Sequence, residues 1–273
     1  MQGLLDHLGY DLEPSILIDG WATQMRVGGD VSRDIDLIIM GQGLRQKLRE
    51  ILPDYSENTI HSGGRRGRGT KDGVHVDAYI PWESALGNKL RLKVERLIEH
   101  TEPAPMKGWR LLNVHAHTAT KLAAILDRPD TEKGEKDARE INRLLEHGAD
   151  PIETVAVLLD TTGGDPELMP GYIEQVFELL PTLASVNKQR RRELAQQRRV
   201  WSMKPNINCA IALRVRRDEP HRRCRRRPRS RQIECEATFS ISGYFSVRRR
   251  VCRIVAWRTR KERSSSFLRR SIR

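Results

Sequence analysis

Apolar residues in the first third of the chain fall into short runs separated by glycine, proline and charged residues. Runs of this length predict β-strands, because a strand needs only about four to eight residues and alternates its side chains between two faces. The predicted strands are 16–18, 37–40, 55–61 and 74–80. Gly20 ends the first run where a short helix can begin, and a further helix is predicted over 42–52, before Pro53.

Later in the chain the apolar spacing changes to that of helices, with proline or glycine at the ends. The segments with this spacing are 115–126, 132–147, 151–159 and 166–183, and 188–201 continues the last of them. Before them, 90–98 and 109–114 are predicted as strands and 99–108 as a connector. The pattern predicts an α/β protein in which a mixed sheet with flanking helices (1–112) precedes a helical lobe (113–203).

Charge is distributed unevenly along the chain. The whole chain carries a formal net charge of +13, but residues 1–187 hold 21 basic against 30 acidic side chains, whereas residues 188–273 hold 28 against 6. Blocks of like charge repel each other, so 204–273 is predicted to be a disordered basic tail. Such a tail either strengthens RNA binding in a salt-dependent way or is a segment without a selected structure.

Cysteine usage and hydropathy narrow the cellular setting. All four cysteines lie in the tail, without the Cys-x-x-Cys spacing typical of a zinc site. The chain starts without the charged and then apolar segment of an export signal, and no apolar run reaches the ~20 residues of a membrane span. A soluble cytoplasmic protein is therefore predicted.

Three aspartates form the first candidate site. Asp34 and Asp36 lie two residues apart at the start of a predicted strand, so both side chains point to one face while Ile35 turns toward the core. Two ionised carboxylates this close repel each other, and a hard divalent cation relieves the repulsion. Asp77 supplies a third oxygen donor if its strand lies alongside. The sequence predicts a site for one or two Mg²⁺ ions, of the kind that clamps the reacting oxygens in phosphoryl transfer.

A glycine-rich basic segment, 62–73, separates the predicted strands 55–61 and 74–80, which are expected to pair antiparallel. One interpretation is a flexible, solvated hairpin loop. The other is that Arg65, Arg66, Arg68 and Lys71 contact the phosphates of a nucleotide or nucleic acid, because a cationic loop beside a metal site lies where a polyanion must arrive.

A turn, an aspartate pair and a later strand aspartate follow one another in the chain. The residues are Gly20, Trp21, Asp34, Asp36 and Asp77. This arrangement resembles the nucleotidyltransferase superfamily, whose signature is a Gly-Gly or Gly-Ser turn, an Asp-x-Asp pair and a third strand carboxylate. A second set comprises Lys121, Arg128, Lys133, Lys136 and Asp137. With it, the chain more narrowly resembles the AbiEii/MenT-type (DUF1814-like) toxin nucleotidyltransferases over residues 16–159.

The resemblance implies a role for each of these positions. Lys121 would bind the triphosphate of an incoming NTP, and Asp137 would support the active site from the helical lobe. The nucleotide-binding positions implied are Gly20, Trp21, Lys121 and Arg128. Ordinary structural roles remain open for the same residues: Lys121 as a solvated helix residue, Asp137 as a partner of Lys133, and Arg128 as a donor to the carbonyls of the preceding helix end.

The chain departs from the toxin pattern at the turn. Asp19 stands where a glycine is usual, and Trp21 stands where a serine or threonine is common. The Gly-Trp-Ala form also resembles the aminoglycoside nucleotidyltransferases. The expected function is Mg²⁺-dependent transfer of a nucleoside monophosphate from an NTP to RNA, such as the tRNA 3′ end, by a toxin paired with an antitoxin. Transfer to a small molecule, or non-catalytic binding of RNA or a partner protein, are the alternatives.

Overall fold

The structure is a computed structural model that describes residues 15–30, 32–60, 64–105 and 108–203. The predicted basic tail over 204–273 lies outside the described residues. The predicted division into a sheet domain over 1–112 and a helical lobe over 113–203 stays a prediction.

Strands in the described residues form one large sheet and one small one. They are β1 (Ser15–Ile18), β2 (Asp34–Ile38), β3 (Ser56–Ile60), β4 (Gly64–Lys71), β5 (Val74–Tyr79), β6 (Ala85–Leu86), β7 (Leu92–Lys93), β8 (Thr101–Pro103) and β9 (Trp109–Leu112). The large sheet has the order β3-β4-β5-β2-β1-β9-β8, and β6 pairs with β7. β2 runs parallel to β5 and antiparallel to β1. The predicted fold class, an α/β protein with a mixed sheet and flanking helices, is confirmed.

Helices alternate with the first strands and then follow one another. They are α1 (Asp19–Val27), α2 (Gln42–Ile51), α3 (Val94–Leu97), α4 (Val114–Asp127), α5 (Glu132–Glu146), α6 (Pro151–Thr162), α7 (Met169–Leu183) and α8 (Lys188–Trp201), with a 3₁₀ turn at Ile98–His100. Four of them begin at a residue whose side chain accepts a backbone N–H: Asn113, Thr131, Asp150 and Asn187. No helix in the described ranges is long and apolar enough to cross a membrane.

The two faces of the large sheet bury different apolar side chains. Ile35 and Leu37 of β2 point to the face covered by α2, where Leu44 and Leu48 are buried against them. The other face packs against the later helices in a larger apolar cluster that includes Ile38. Polar residues of β2 that share the Ile38 face therefore lie toward the later helices, α4 to α8, which form the helical part of the protein.

The prediction that 62–73 is a hairpin loop was wrong. Residues Gly64–Lys71 form β4, which lies between β3 and β5, so those two strands do not pair with each other. The glycines serve close packing, since a Cβ at Gly67 would lie 2.1 Å from the Tyr55 hydroxyl and one at Gly69 would lie 2.8 Å from Leu52 Cβ. The glycine-rich composition suggested a flexible loop. In the fold, glycine instead leaves room for neighbouring side chains to pack against the strand.

The strand predicted over 90–98 and the connector over 99–108 were also partly wrong. Leu92 and Val94 are buried as alternation requires, but Leu97 is buried as well, three residues after Val94. That spacing is helical, and the chain accordingly changes from β7 to α3 at Val94. The connector contains β8, which pairs with β9 at the end of the sheet.

Candidate active site

The three predicted carboxylates lie on one face of the large sheet. β2 begins at Asp34, three residues before the predicted strand, so both members of the aspartate pair lie inside it. Parallel pairing with β5 places Asp36 directly beside Asp77. Side chains of directly paired residues share a face, and here it is the face on which Ile38 and Tyr79 join the helical core.

A cavity of ≈ 460 Å³ lies between this face and the helices. Its lining contains each residue for which the sequence predicts a catalytic role: Asp34, Asp36, Asp77, Lys121 and Asp137. Basic side chains also line it: Arg33, Arg66, Arg68, Lys121, Arg128, Lys133 and Lys136. Carboxylates on one wall with cations around them can hold both a metal ion and a polyanion.

Asp36 lies between two other carboxylates. Its burial, followed by the charges of Asp77 and Asp34, raises the pKa of Asp36 to about 7. The positive charge of Lys133 compensates this negative charge only weakly. Its ammonium is 3.6 Å from Asp34 Oδ2, and its side chain is largely exposed to water. Negative charge is therefore concentrated at this point of the sheet, and a cation bound there would relieve it.

Asp77 differs from Asp36 in having strong partners. Arg68 on β4 donates from Nε to Oδ1 at 2.6 Å and from Nη2 to Oδ2 at 2.7 Å, and Arg66 Nη1 lies 3.4 Å from Oδ2. This is a bidentate charge-assisted pair. The sequence predicts that Arg66 and Arg68 contact phosphates. The fold adds that both arginines lie across the ladder from β5, within reach of the third carboxylate.

Lys121 of α4 is almost completely buried and lies among three carboxylates. Its Nζ contacts Asp19, lies 3.0 Å from Asp137 Oδ1 and lies 2.5 Å from Glu140 Oε2. The sequence did not identify Asp19 or Glu140 as members of the site. Glu140 follows Asp137 by three residues on α5, which is the spacing that places two side chains on one helix face, so that signal was present.

Arg128 completes the contacts of Asp137. It donates from Nε to Asp137 Oδ2 at 2.8 Å, and its Nη2 lies 2.7 Å from the same oxygen. Lys133, the alternative partner for Asp137 in the sequence, instead lies near Asp34. Asp137 is thus held by two cations, one from α4 and one from the turn that follows it.

The turn from β1 into α1 has a strained backbone. Asp19 adopts φ 56°, a left-handed conformation that glycine adopts most easily. Glycine, the residue expected at this position from the sequence resemblance, would adopt this conformation at lower cost. The Asp19 carboxylate contacts Lys121, and the residue lines the cavity.

Two buried side chains stabilise this turn, and the sequence did not reveal them. Thr23 Oγ1 donates to the carbonyl oxygen of Asp19 at 3.0 Å. Because its one proton is used there, Thr23 accepts from His117 Nε2 at 2.9 Å. Burial, and to a lesser extent Arg26, lowers the pKa of His117 to about 3, so the imidazole stays neutral. The His117 tautomer with a proton on Nε2 therefore donates to Thr23, and this hydrogen bond connects the turn to α4.

Gly20 and Trp21 occupy different positions relative to the cavity. A Cβ at Gly20 would lie 2.7 Å from Ser32 Cβ and 3.1 Å from Lys136 Nζ, so glycine allows the segment before β2 to approach the helix. Trp21 packs against the apolar cluster on the α2 side of the sheet. No side chain caps the start of α1, which leaves the first backbone N–H groups of the helix as possible donors to an anion.

A second cavity of ≈ 360 Å³ adjoins the first. Asp19, Asp36 and Lys121 line both of them. The second has more apolar lining, from Ile18, Ala85, Leu86 and Ala124, together with the polar residues Asn88, Thr120 and Asp127. One cavity is therefore suited to charged groups and the other to a flatter, partly apolar group next to them.

Solved structures that are similar to the chain include two of low sequence identity. The chain is similar to the antibiotic-resistance factor ANT(2″)-Ia, with 17% sequence identity and a TM-score of 0.41 over 57% of this chain and 88% of that one. It is also similar to an antigenic nucleotidyltransferase-like protein from Paracoccidioides brasiliensis, with 16% identity and a TM-score of 0.37 over 72% of this chain and 88% of that one. No protein-family model and no curated protein matches the chain. At these levels neither likeness assigns a family or an activity.

Two groups of carboxylates differ in how well they could bind a divalent cation. Among the described residues, the three carboxylates whose oxygens all lie within 4.8 Å of one another are Asp19, Asp137 and Glu140. The Lys121 ammonium already contacts all three. The charges of Lys133 and Arg66 offset Asp36 only in part, and its pKa stays raised to about 7. Carboxylate oxygens are the donors that Mg²⁺ prefers. The donor set on β2 therefore fits a divalent cation better than the set around Lys121.

Proposed function

We propose that the protein is a metal-dependent nucleotidyltransferase, which moves a nucleoside monophosphate from an NTP to a hydroxyl group and releases pyrophosphate. One observation carries the proposal. Asp34, Asp36 and Asp77, from two neighbouring strands, share a single cavity with cationic side chains of the helical part. Phosphoryl transfer depends mainly on positioning and on neutralising charge, and this cavity contains groups for both.

Asp34 and Asp36 are the proposed ligands of Mg²⁺, and Asp77 completes the set when Arg68 releases one of its oxygens. The ion would neutralise phosphate charge and orient the α-phosphate. Asp36 has the strongest need for such a cation, because it is flanked by both other carboxylates.

The triphosphate is proposed to lie beside the amines of α5 and the start of α1. Lys133 and Lys136 line the cavity, and Gly20 holds the α1 backbone close to Lys136. Lys121 was expected to bind the triphosphate directly. We assign it the adjoining role of holding Asp19, Asp137 and the sheet in register with the helices, since its ammonium already has carboxylate partners.

The transfer step needs a proton acceptor for the attacking hydroxyl. Asp77 is proposed for this role, because it lies beside Asp36 and is buried on the cavity face. The acceptor oxygen bonds to the α-phosphorus, the bond to the pyrophosphate oxygen breaks, and the proton passes to Asp77. The cations around the cavity stabilise the charge that develops on the leaving pyrophosphate.

RNA is the proposed acceptor, with the tRNA 3′ end and a toxin role as the specific form. The support is a pair of arginines on β4 that line the cavity: Arg68 exposes about half of its side chain, and Arg66 lies within 6.0 Å of the Tyr79 ring. Such a pair offers contacts to a phosphate backbone. A cognate antitoxin follows from the resemblance to the toxin group and is part of this proposal.

Incorporation of labelled nucleotides tests the proposal directly. The full-length protein is incubated with each α-labelled NTP and Mg²⁺, with total tRNA in one arm and a panel of aminoglycosides in the other. We expect Mg²⁺-dependent label in the RNA, and none with the double variant Asp34→Ala, Asp36→Ala. Asp72→Ala, which removes an exposed carboxylate of the β4–β5 turn, is the matched control.

Each arm has an outcome that counts against part of the proposal. Full incorporation by the double variant would show that the carboxylates on β2 are not the site. Label in an aminoglycoside alone would overturn the RNA acceptor and leave nucleotidyl transfer standing. No label in either arm, together with no Mg²⁺ binding by calorimetry, would indicate a non-catalytic binding protein.

A further inference from the structure

Trp82 is displayed to solvent by a turn that does not suit it. Its exposed fraction of 81% is the largest of the exposed large hydrophobic residues in the described ranges. Its φ is 64°, in the left-handed region that a bulky residue rarely adopts. Pro81 precedes it, and the Glu83 N–H donates to the Ile80 carbonyl at 3.1 Å, as in a β-turn. Proline followed by a positive φ is the pattern of a type II turn, in which glycine normally takes the position of Trp82.

The turn is held firmly, so the exposure of Trp82 is not a consequence of looseness. The Ile80 N–H donates to Ser84 Oγ at 2.7 Å, and the Ser84 N–H donates back to the Ile80 carbonyl at 2.8 Å. The Arg65 N–H of β4 donates to the Glu83 carbonyl at 2.6 Å. Trp82 itself donates from its backbone N–H to Glu95 Oε2 at 3.1 Å.

Stability does not account for tryptophan at this position. The residue buries little apolar surface, so it gains little from the hydrophobic effect. Its backbone conformation costs free energy that glycine would avoid. Strained positions that the surrounding structure holds in place are typical of functional sites. The benefit of the indole is therefore expected to come from something that binds it.

The position of the turn indicates what the indole contacts. Trp82 lies three residues from Tyr79 and three from Ala85, and both of those line the second cavity. Three residues span at most about 10 Å, so the Trp82 backbone lies within that distance of two residues that line the second cavity. The turn is hydrogen-bonded to Arg65 at the start of β4, the strand that then carries Arg66 and Arg68. An aromatic side chain next to a row of cations is typical of sites for single-stranded nucleic acid.

We infer that Trp82 is a stacking platform for a nucleobase of a single-stranded RNA acceptor. The base stacks on the indole, while the arginines of β4 contact the adjoining phosphates. The inference rests on the proposed function for the identity of the acceptor.

Trp82→Gly is the variant that separates binding from folding. Glycine relieves the strained φ, so we expect the melting temperature to rise by roughly 2–4 °C. The same variant removes the platform. In the full-length protein without NTP or metal, single-stranded RNA with one 2-aminopurine near its end should lose the fluorescence quenching that stacking causes. Affinity should fall about 5- to 100-fold. The titration is run at high salt, which weakens the contribution of the basic residues 204–273.

Matched variants complete the experiment. Ser185→Gly removes a side chain at φ 50° in the helical part, and it should raise stability without changing RNA binding. Trp82→Phe keeps an aromatic ring and should retain most of the quenching. The inference is overturned if Trp82→Gly leaves RNA affinity within about twofold of wild type, or if it affects only binding of a protein partner. Failure of nucleotide transfer with quenching intact would instead count against the proposed enzyme.

Discussion

Two clusters of carboxylates meet in the same cavity and are treated in opposite ways. On the sheet, Asp36 lies between Asp34 and Asp77, and its pKa is raised to about 7. In the helical part, Asp137 is held by the Lys121 ammonium and the Arg128 guanidinium. In the first cluster, arginines of β4 hold Asp77, whereas the charge of Asp36 is disfavoured by burial and by both neighbouring carboxylates. In the second cluster, Lys121 contacts every carboxylate.

The difference separates a group that binds something from a group that holds the fold together. Buried carboxylates that surround a protein cation can connect separate elements of the fold. Here Lys121 connects α4 to Asp19 at the start of α1 and to Asp137 and Glu140 on α5. Carboxylates without such partners raise the free energy of the folded protein until a cation arrives. The comparison therefore supports the proposal that β2 binds the metal ion and that Lys121 has a structural task.

The largest expected effect is on catalysis by the sheet cluster. Asp36→Asn removes a proposed metal ligand, which is worth several kcal/mol in the transition state, so transfer should fall about a thousandfold or more. The measurement is the initial rate of nucleotide incorporation at saturating Mg²⁺. Asp72→Asn, an exposed carboxylate in a turn, should retain the wild-type rate. Equal rates for both variants would remove the distinction between the clusters.

The next effect is on stability, through the Lys121 cluster. Lys121→Met leaves three buried or partly buried carboxylates without their shared ammonium, and loss of one partner of a buried ion pair costs about 3–5 kcal/mol. Urea unfolding followed by circular dichroism should show it, with Lys188→Met on the exposed start of α8 as the control. A Lys121→Met protein as stable as the control would mean that the ion-pair cluster around Lys121 does not stabilise the fold.

A smaller effect is expected where the two parts meet at the Asp19 turn. Thr23→Val breaks the contact to Asp19 and leaves the His117 imidazole without its partner, at a cost of about 1–3 kcal/mol. NTP affinity should fall too, because the turn that precedes α1 loosens. Thr118→Val removes a similarly buried hydroxyl that bonds only its own helix, and it should have little effect on either quantity. Unequal stability but equal NTP affinity would confine Thr23 to a structural role.

The smallest effect is a pH dependence of opposite sign at two carboxylates of the metal-free protein. The folded pKa of Asp36 is above its unfolded value of 3.8, so the stability associated with this group falls as pH rises from about 4 to 7. Glu57, held chiefly by Arg45, has its pKa lowered to about 2, so its stabilisation is present above about 4.5 and is lost as pH falls toward 2. At pH 8, Asp36→Asn should stabilise the protein and Glu57→Gln should destabilise it, each on the order of 1–2 kcal/mol after allowance for solvent screening. Thermal melts across pH measure both, and equal signs would contradict the comparison.

The sheet cluster was within reach of the sequence because strand alternation is a local rule. Asp34 and Asp36 share a face by their spacing alone, and Asp77 required only that its strand pair with theirs, as it does. The longer helices were predicted for the same reason, from apolar spacing and end signals, whereas α3 lies in a segment that was predicted as a strand. The chemical roles of the three aspartates stay predictions, and the fold shows that these residues line one cavity.

Contacts between distant segments were out of reach. Asp19 precedes Lys121 by 102 residues, and no local pattern predicts that their charges meet. β4 escaped prediction because glycines at 67 and 69 suggest a loop until the side chains of Tyr55 and Leu52 are known to lie against them. Trp82 was visible in the sequence only as the residue after a proline. Its meaning depends on a positive φ that only the fold reveals.

The alternation of charged and apolar residues on β2 also specifies the register in which β2 pairs with β5. A slip of one residue against β5 would carry Asp34 and Asp36 into the apolar layer over α2 and turn Ile35 and Leu37 out toward the cavity. Such a misaligned sheet would have to bury unpaired carboxylates, which makes it far less stable than the native one. The carboxylates proposed for chemistry thus also destabilise an incorrect strand register at the centre of the sheet.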